Sequence, residues 1–517
     1  MGNREVAEAW AYHDATKHSL ASLRADPHVL DWEIMPRPFK VYPDLEPIPL
    51  TRDLTESRRR ALDAIADDGE QAHDVAAPEL DRELLSHLLY FTAGVLKRRT
   101  YAMGESFFRA AACTGNLHHI DLSFACADLP GLDAGVYHFA PHDFALRRLR
   151  AGDHRAALVA ASALEPHVAG APVVLIASST YWRNAWKYRA RTYRHCFWDS
   201  GTMFANLLAL AAAQHLPAHL VLGFVDDAVS RLIDLDPRRE AALALIALGS
   251  GAAAPPALAH EPAALGLVTL PLSEREVEYA AIAAAHDSGA LDSPDTVARW
   301  RRPLAAAPAI DAGAPLVALP AAAAEDAGDT VEAVILRRGS TRRFLQQPIS
   351  FARLATILRA VTRGVPADFL APRAQLAELY LIVNAVDGLA PGAYVFDRAR
   401  EGLVLLREGS FRREAGYLGL GQQLPADAAV DIFWLSDLSR ALGELGNRGY
   451  RAAQIEAAIG GGKAYLAAYA LRLGASGLTF FDDDVTTFFS PHARGKSVMF
   501  LMAIGVPERL PRARDSR

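Results

Sequence analysis

The chain repeats itself at a constant spacing. GLDAGVYHF (131–139) returns as GLAPGAYVF (388–396), 257 residues later. TYR (192–194) and GYR (449–451) keep that spacing, as do the Ala/Leu-rich runs ending at Leu216 and Leu473. GFVDDAV (223–229) and FFDDDV (480–485) follow with the spacing changed by one. A spacing held through four features points to two copies of one domain of roughly 200 residues. The expected division is an N-terminal extension over 1–80, domain 1 over 81–255, a helical segment and Ala/Pro-rich linker over 256–328, and domain 2 over 329–517.

Within each copy the elements are legible. ELLSHLLYFTAGV (83–95) and FARLATILRAVTRG (351–364) have the pattern of amphipathic helices ending near glycine. DLSFACADL (121–129) and ELYLIVNAV (378–386) read as strands, each followed by a turn and a second strand. APVVLIAS (171–178) and AVDIFWLS (429–436) are short apolar runs suited to buried strands, and ALALIALG (242–249) and MFLMAIGV (499–506) close the copies. Irregular alternation with antiparallel elements predicts an α+β fold, not a doubly wound parallel sheet. No GxGxxG follows a strand, and no GxxxxGK[ST] occurs. SEREVEYAAIAAAHDSGAL (273–291) has helical periodicity, and residues 304–328 have a linker's composition.

Apolar residues make up 51% of the 517, enough for a sizeable core, and the net charge of −6 asks for neither nucleic acid nor an anionic membrane. The most apolar stretch, 205–223, carries Gln214, His215, Pro217 and His219 and reads as a buried helix running into a strand, not a membrane span. Three cysteines without a CxxC pair, and no signal-peptide pattern in MGNREVAEAWAYHDATKHS, suit a reduced, cytoplasmic setting. The Asp226–Asp227 and Asp482–Asp484 runs read as helix caps or turns. His118 and His119 have no companions at metal-ligand spacing, so no metal is expected.

Two stretches carry chemistry. LRRGSTRRF (336–344) places Arg338, Ser340 and Arg342 at alternate positions, on one side of an extended segment. Two guanidinium forks and a hydroxyl on one side suit a phosphate. NAWKYRARTYRHC (184–196) sets Lys187 beside Tyr188 among three arginines. Alone, that pair reads as a snorkelling lysine and a packed tyrosine.

Taken together, RRxSxRxF, GLxPGxYxF and an Ala/Leu helix leading to LGxxGLxFF resemble the nitroreductase superfamily. The resemblance implies FMN bound between two subunits. Arg338, Ser340 and Arg342 would hold the phosphate and the pyrimidine edge of the ring, and the backbone around Gly474–Gly477 would lie along the ring. Copy one lacks the clamp; its counterpart falls near EQAHDV (70–75). Instead it carries RAAACTGNLHHID (109–121), similar to the family's ring-facing segment, where Thr114, Gly115 and Asn116 match while Ala112 and Cys113 depart from it. Copy two has APRAQLAE (371–378) there. One chain thus resembles a fused pseudo-dimer with one intact and one decayed site.

KYRARTYRHCFWDSG (187–201), YHDATKHS (12–19) and PFKVYPDLEPIPL (38–50) resemble the SagB/ThcOx-type branch. This implies an FMN-dependent dehydrogenase that oxidises azolines in peptides to azoles, with Lys187 and Tyr188 as the catalytic pair. Such a reaction removes a proton as well as a hydride. A lysine takes the proton if neutral, and desolvation beside arginines favours that form. The alternatives are an NAD(P)H-dependent nitro- or quinone reductase and a flavin-free binding or scaffold protein. Lys496, Arg512 and Arg514 are further candidates for the phosphate site. The partner is expected to be a peptide or small-molecule substrate, with pairing to a second chain left open.

Overall fold

A computed structural model describes residues 2–25, 27–69, 77–101, 104–257, 260–305, 313–322 and 328–508. EQAHDV (70–75), Arg512 and Arg514 lie outside them. The two copies form two antiparallel sheets of the same design. In the first, strands run in the order 47–49, 145–151, 135–140, 120–126, 173–180, 240–248, 218–221. In the second, the order is 316–318, 402–408, 392–397, 377–383, 430–436, 497–507, with 344–345 and 474–478 both pairing the last of these. The central strands, such as Val173–Thr180 and Val430–Ser436, are buried along their whole length, which is why they read as continuous apolar runs. The fold is α+β, as the sequence predicts.

Part of the expected linker is structural. Leu316–Ala318 pairs with Gly402–Val404 as the edge strand of the second sheet, and Pro47–Pro49 pairs with Ala145–Arg147 in the first. The helix expected within 273–291 spans Ala280–Ser288. It meets both copies: His286 packs edge-on against Tyr193, and its carbonyl accepts from Arg451 at 2.6 Å.

Two long helices, Thr192–Ala213 and Arg448–Ala470, cross at the centre and are buried almost all round. Small residues let them approach. A Cβ on Gly201 would stand 2.5 Å from that of Ala458, and one on Gly462 would stand 2.5 Å from that of Ala205. Gly201 and Ala458 are 257 residues apart, as are Ala205 and Gly462, so each glycine faces its own counterpart across the pseudo-twofold axis.

The same symmetry organises charge. Asp226 accepts from Arg448 (2.6 Å) and Arg451 (2.8 Å), and Asp482 accepts from Arg194 (2.6 Å) and Arg191 (3.3 Å). Each carboxylate comes from one copy and its two arginines from the other. The acidic runs do open helices, Asp226–Leu232 and Asp482–Phe489, but Asp226 and Asp482 are buried ion-pair hubs rather than caps. Their partners lie more than 200 residues away in sequence, beyond the reach of a local reading.

Candidate functional site

The clamp, the ring-facing segment and the Lys–Tyr pair form one continuous region between the copies. Arg338 follows the helix Val331–Arg337, which Thr330 caps by accepting from the Ala333 N–H at 3.1 Å. Its guanidinium crosses to copy one and donates to the carbonyls of Ala110 (2.9 Å) and Arg109 (3.4 Å). It also lies 5.7 Å from the ring centre of Tyr465. Ser340 Oγ is 3.2 Å from the Tyr465 hydroxyl, which in turn accepts from the Gly477 N–H at 2.6 Å. Thr341 lies 3.2 Å from the Tyr469 hydroxyl, and its N–H donates to the Ala475 carbonyl at 2.9 Å. A Cβ on Gly474 would sit 2.4 Å from Thr341 Oγ1. Arg338, Ser340, Gly474 and Gly477 are therefore brought together, around Tyr465 and Tyr469. Arg342 is exposed.

Lys496 is placed elsewhere. It donates to Glu378 (2.7 Å) and Tyr380 (2.8 Å) just before the strand Ser497–Pro507, whose other end pairs with Phe344 beside the clamp. The length of that strand separates the two sites by roughly 30 Å.

Asp199 builds the ring-facing loop. One of its oxygens accepts from the Thr114 N–H (2.9 Å) and hydroxyl (2.7 Å), and the other from Cys113 Sγ (3.1 Å) and His119 Nε2 (3.0 Å). Burial, reinforced by Asp199, pushes the Cys113 thiol well above its ordinary pKa, so it stays protonated as a donor. Thr202 Oγ1 donates to the Ala112 carbonyl at 2.9 Å. Gly115, Asn116 and His118 all have positive φ, of 64°, 61° and 48°. Asn116 is fixed by donating to the Phe107 carbonyl (3.0 Å) and by its contact with His118 (2.9 Å). His118 and His119 are thus engaged in hydrogen bonds within and behind the loop.

Lys187 and Tyr188 end the helix Trp182–Tyr188. The Tyr188 hydroxyl lies over Gly115, where an added Cβ would come within 2.7 Å of it. The ring packs edge-on against His195, with centroids 4.6 Å apart, and the Lys187 ammonium stands 5.4 Å from its centre. Burial, then Asp199 and Cys113, push the phenol well above its ordinary pKa and keep it a proton donor. Tyr12 donates to the Ala190 carbonyl at 2.7 Å, so the N-terminal YHDATKHS stretch braces the turn after the pair.

Arg338 tests whether this junction suits an anionic cofactor. Burial lowers its pKa, and the groups that offset burial are Tyr465 and Tyr469; no carboxylate pairs with it among the described residues. A desolvated guanidinium held only by backbone carbonyls, beside the Ser340 and Tyr465 hydroxyls and glycine backbone, fits a phosphate-bearing planar group.

The nitroreductase family profile matches residues 78–250 and 335–506, both copies and two thirds of the chain. The chain belongs to the nitroreductase family. A Methanocaldococcus jannaschii protein assigned to the nitroreductases is 24% identical over 151 residues, covering 29% of this chain and 73% of that protein. A crystal structure from Anabaena variabilis, described as a nitroreductase, superposes with a TM-score of 0.76 at 24% identity. That match covers 97% of this chain and 99% of the Anabaena chain, so the shared fold spans both copies. It is an oxidoreductase by family. Sequence reasoning passed over Asp199, Tyr465 and Tyr469. Asp199 lies within the quoted KYRARTYRHCFWDSG stretch, and the tyrosines stand 257 residues after Leu208 and Ala212, a polar-for-apolar difference between the copies. No helix of the described residues is long and apolar enough to cross a membrane.

Proposed function

We propose that this protein is an FMN-dependent dehydrogenase of the SagB/ThcOx type, acting on a peptide-derived heterocycle or a similar C–N or C–C bond. The observation that carries the reading is one-sided. The Lys187–Tyr188 pair occurs only in copy one, where it packs on the ring-facing loop that Arg338 of copy two reaches. Its counterparts in copy two are Glu444 and Leu445.

Bound FMN would supply the two-electron acceptor that takes a hydride from the substrate carbon. The chain does the rest. Arg338, with Ser340 and Arg342, holds the phosphate. Thr114–Asn116 of copy one and Gly474–Gly477 of copy two would face the flavin ring. Lys187 takes the proton lost from carbon as an azoline becomes an azole, and Tyr188, protonated, polarises the heterocycle through a hydrogen bond. Substrate thereby loses two electrons and two hydrogens, and O2 or another acceptor takes the electrons onward.

The test is an absorption spectrum of the purified protein beside Arg338→Ala/Arg342→Ala. Oxidised-flavin absorption lost in the double variant is the expected result. Oxidation of an azoline peptide that Lys187→Ala abolishes, with flavin retained, completes it. A protein that stays colourless with added FMN overturns the reading. NAD(P)H-driven nitroaromatic reduction unaffected by Lys187→Ala replaces it with a reductase.

A further inference from the structure

A cavity of about 580 Å³ lies on the opposite side of the pseudo-twofold axis from the Arg338 junction. Its walls are that junction's counterparts. Leu208 and Ala212 stand where copy two has Tyr465 and Tyr469. The strand Ala218–Val221 pairs with the last strand of its sheet as Gly474–Leu478 does, and brings His219 where copy two has small residues. Pro366–Arg373 takes the place of the ring-facing loop. Asp67 and Asp68 follow the helix Ala61–Ile65 as Arg338 follows Val331–Arg337, so carboxylates stand where a phosphate clamp would need cations.

This is the decayed cofactor site, and its chemistry is inverted. Tyrosine hydroxyls have become Leu and Ala, and carboxylates stand at the clamp position. The nearby guanidiniums are engaged by them, Arg59 with Asp67 at 2.7 Å and Arg373 with Asp68 at 3.5 Å. At the same wall, Glu165, His167 and His219 converge, with one ligand atom of each within 4.8 Å of the others. The two imidazoles stack with centroids 3.7 Å apart and planes within 7°. Glu165 is held in place by capping the helix Pro166–Gly170, one oxygen accepting from the Val168 N–H at 2.8 Å, while the other meets His167 Nδ1 at 2.9 Å. Donors around a tetrahedral ion lie roughly 3.4 Å apart and the ion lies in the plane of each imidazole, so sharing one ion requires a closure of the donors and a turn of one ring, the exposed His167, out of the stack.

We infer that the vacated second cofactor site is a divalent metal site, with Glu165, His167 and His219 as ligands to zinc or a similar borderline ion. Two imidazoles and one carboxylate form the donor set of open zinc sites, in which the fourth position faces a cavity. The three ligands line the cavity together with Asp368, whose carboxylate accepts from the Leu222 and Gly223 N–H groups at 2.9 Å each. The sequence expectation of no metal rested on His118 and His119. The ligand set instead joins two segments 54 residues apart that only the fold brings together.

The test is calorimetric titration of the chelator-treated full chain with Zn2+, beside His167→Ala, His167→Ala/His219→Ala and Arg338→Ala/Arg342→Ala. His167 is exposed, so its single variant should keep the fold, checked by its melting curve. The expected result is one equivalent of Zn2+ bound by the native chain and by the clamp variant. Affinity should fall by more than about 100-fold in both histidine variants, since even an outer-shell loss costs 10–100-fold. No binding by the native chain, or binding that survives His167→Ala, overturns the inference. Neither outcome depends on whether FMN binds at the other site.

Discussion

The Tyr188 hydroxyl occupies the space that a side chain at Gly115 would need, with only 2.7 Å to an added Cβ. Glycine is required there twice, since its φ of 64° also disfavours a side chain. Gly115→Ala should displace Tyr188 or the loop by a fraction of an ångström to an ångström. Misplacement on that scale costs catalysis up to about 100-fold. Steady-state turnover should fall at least about 10-fold while the flavin absorption, set by the clamp, persists. Unchanged turnover would separate the Tyr188 contact from the reaction.

Asp199 carries four hydrogen bonds to the ring-facing loop and to His119. Removing the carboxylate leaves the Thr114 N–H and hydroxyl and the Cys113 thiol without an acceptor. Each such orphan costs about 1–3 kcal/mol when buried, less where the loop can move to water. Asp199→Ala should lower the unfolding free energy by about 3 kcal/mol in urea titration. Asp199→Asn, which keeps one acceptor oxygen, should lose less. Equal losses would mean the loop rearranges to satisfy itself.

How much of this was legible in the sequence depends on distance along the chain. The strands and both amphipathic helices are visible because their signals are local: apolar runs, and caps such as Asp81 and Ser350. The duplication is visible because three features keep a spacing of 257 and a fourth departs from it by one residue. Arg338, Ser340, Gly474 and Gly477 come together around Tyr465 and Tyr469, while Arg342 is exposed. The Asp226 and Asp482 hubs were misread because one sequence shows an acidic run but not the arginines opposite. The Glu165–His167–His219 cluster escaped for the same reason. In hindsight the offset held a clue: Arg191 and Arg194 recur as Arg448 and Arg451.

Those hubs give the protein an acid limit. Burial alone would raise the Asp482 pKa, but Arg191 and Arg194 overcome it and hold it at about 2. A carboxylate held low contributes stability above its unfolded pKa near 3.8 and loses it as pH falls toward the folded value, here roughly 2–3 kcal/mol between about pH 4 and 2. His13 and His18 sit beside the same hub. Burial and the arginines lower them to about 2 and about 3, so they are neutral in the fold and their contribution starts to fade below about pH 6.5. Melting temperature should therefore decline from about pH 6.5 and more steeply still below pH 4, where Asp482 adds its share. Asp482→Ala, which strands two buried guanidiniums, should cost about 3–5 kcal/mol and flatten the steep part. A profile of unchanged shape in that variant would move the acid limit to other groups.

The Lys187–Tyr188 helix ends at a backbone conformation that its twin meets with glycine. Arg189 has φ 54° and ψ −138°, and Gly446, 257 residues later, has φ 68° and ψ −161° after the helix Leu438–Leu445. For a non-glycine residue that region costs of order 1–3 kcal/mol. Copy two, without the Lys–Tyr pair, uses the unstrained residue; copy one keeps arginine directly after the pair. Arg189→Gly should relieve the strain but add unfolded-chain entropy of up to about 1 kcal/mol, for a net gain of about 0.5–2 kcal/mol. If the strained turn holds the pair against Gly115, the more stable variant should turn over more slowly, with KM little changed and kcat reduced. Stability by urea titration and kcat on an azoline peptide, measured on the same preparation, decide it. A variant that gains stability and keeps kcat would show that the turn is strained for reasons other than positioning Lys187 and Tyr188.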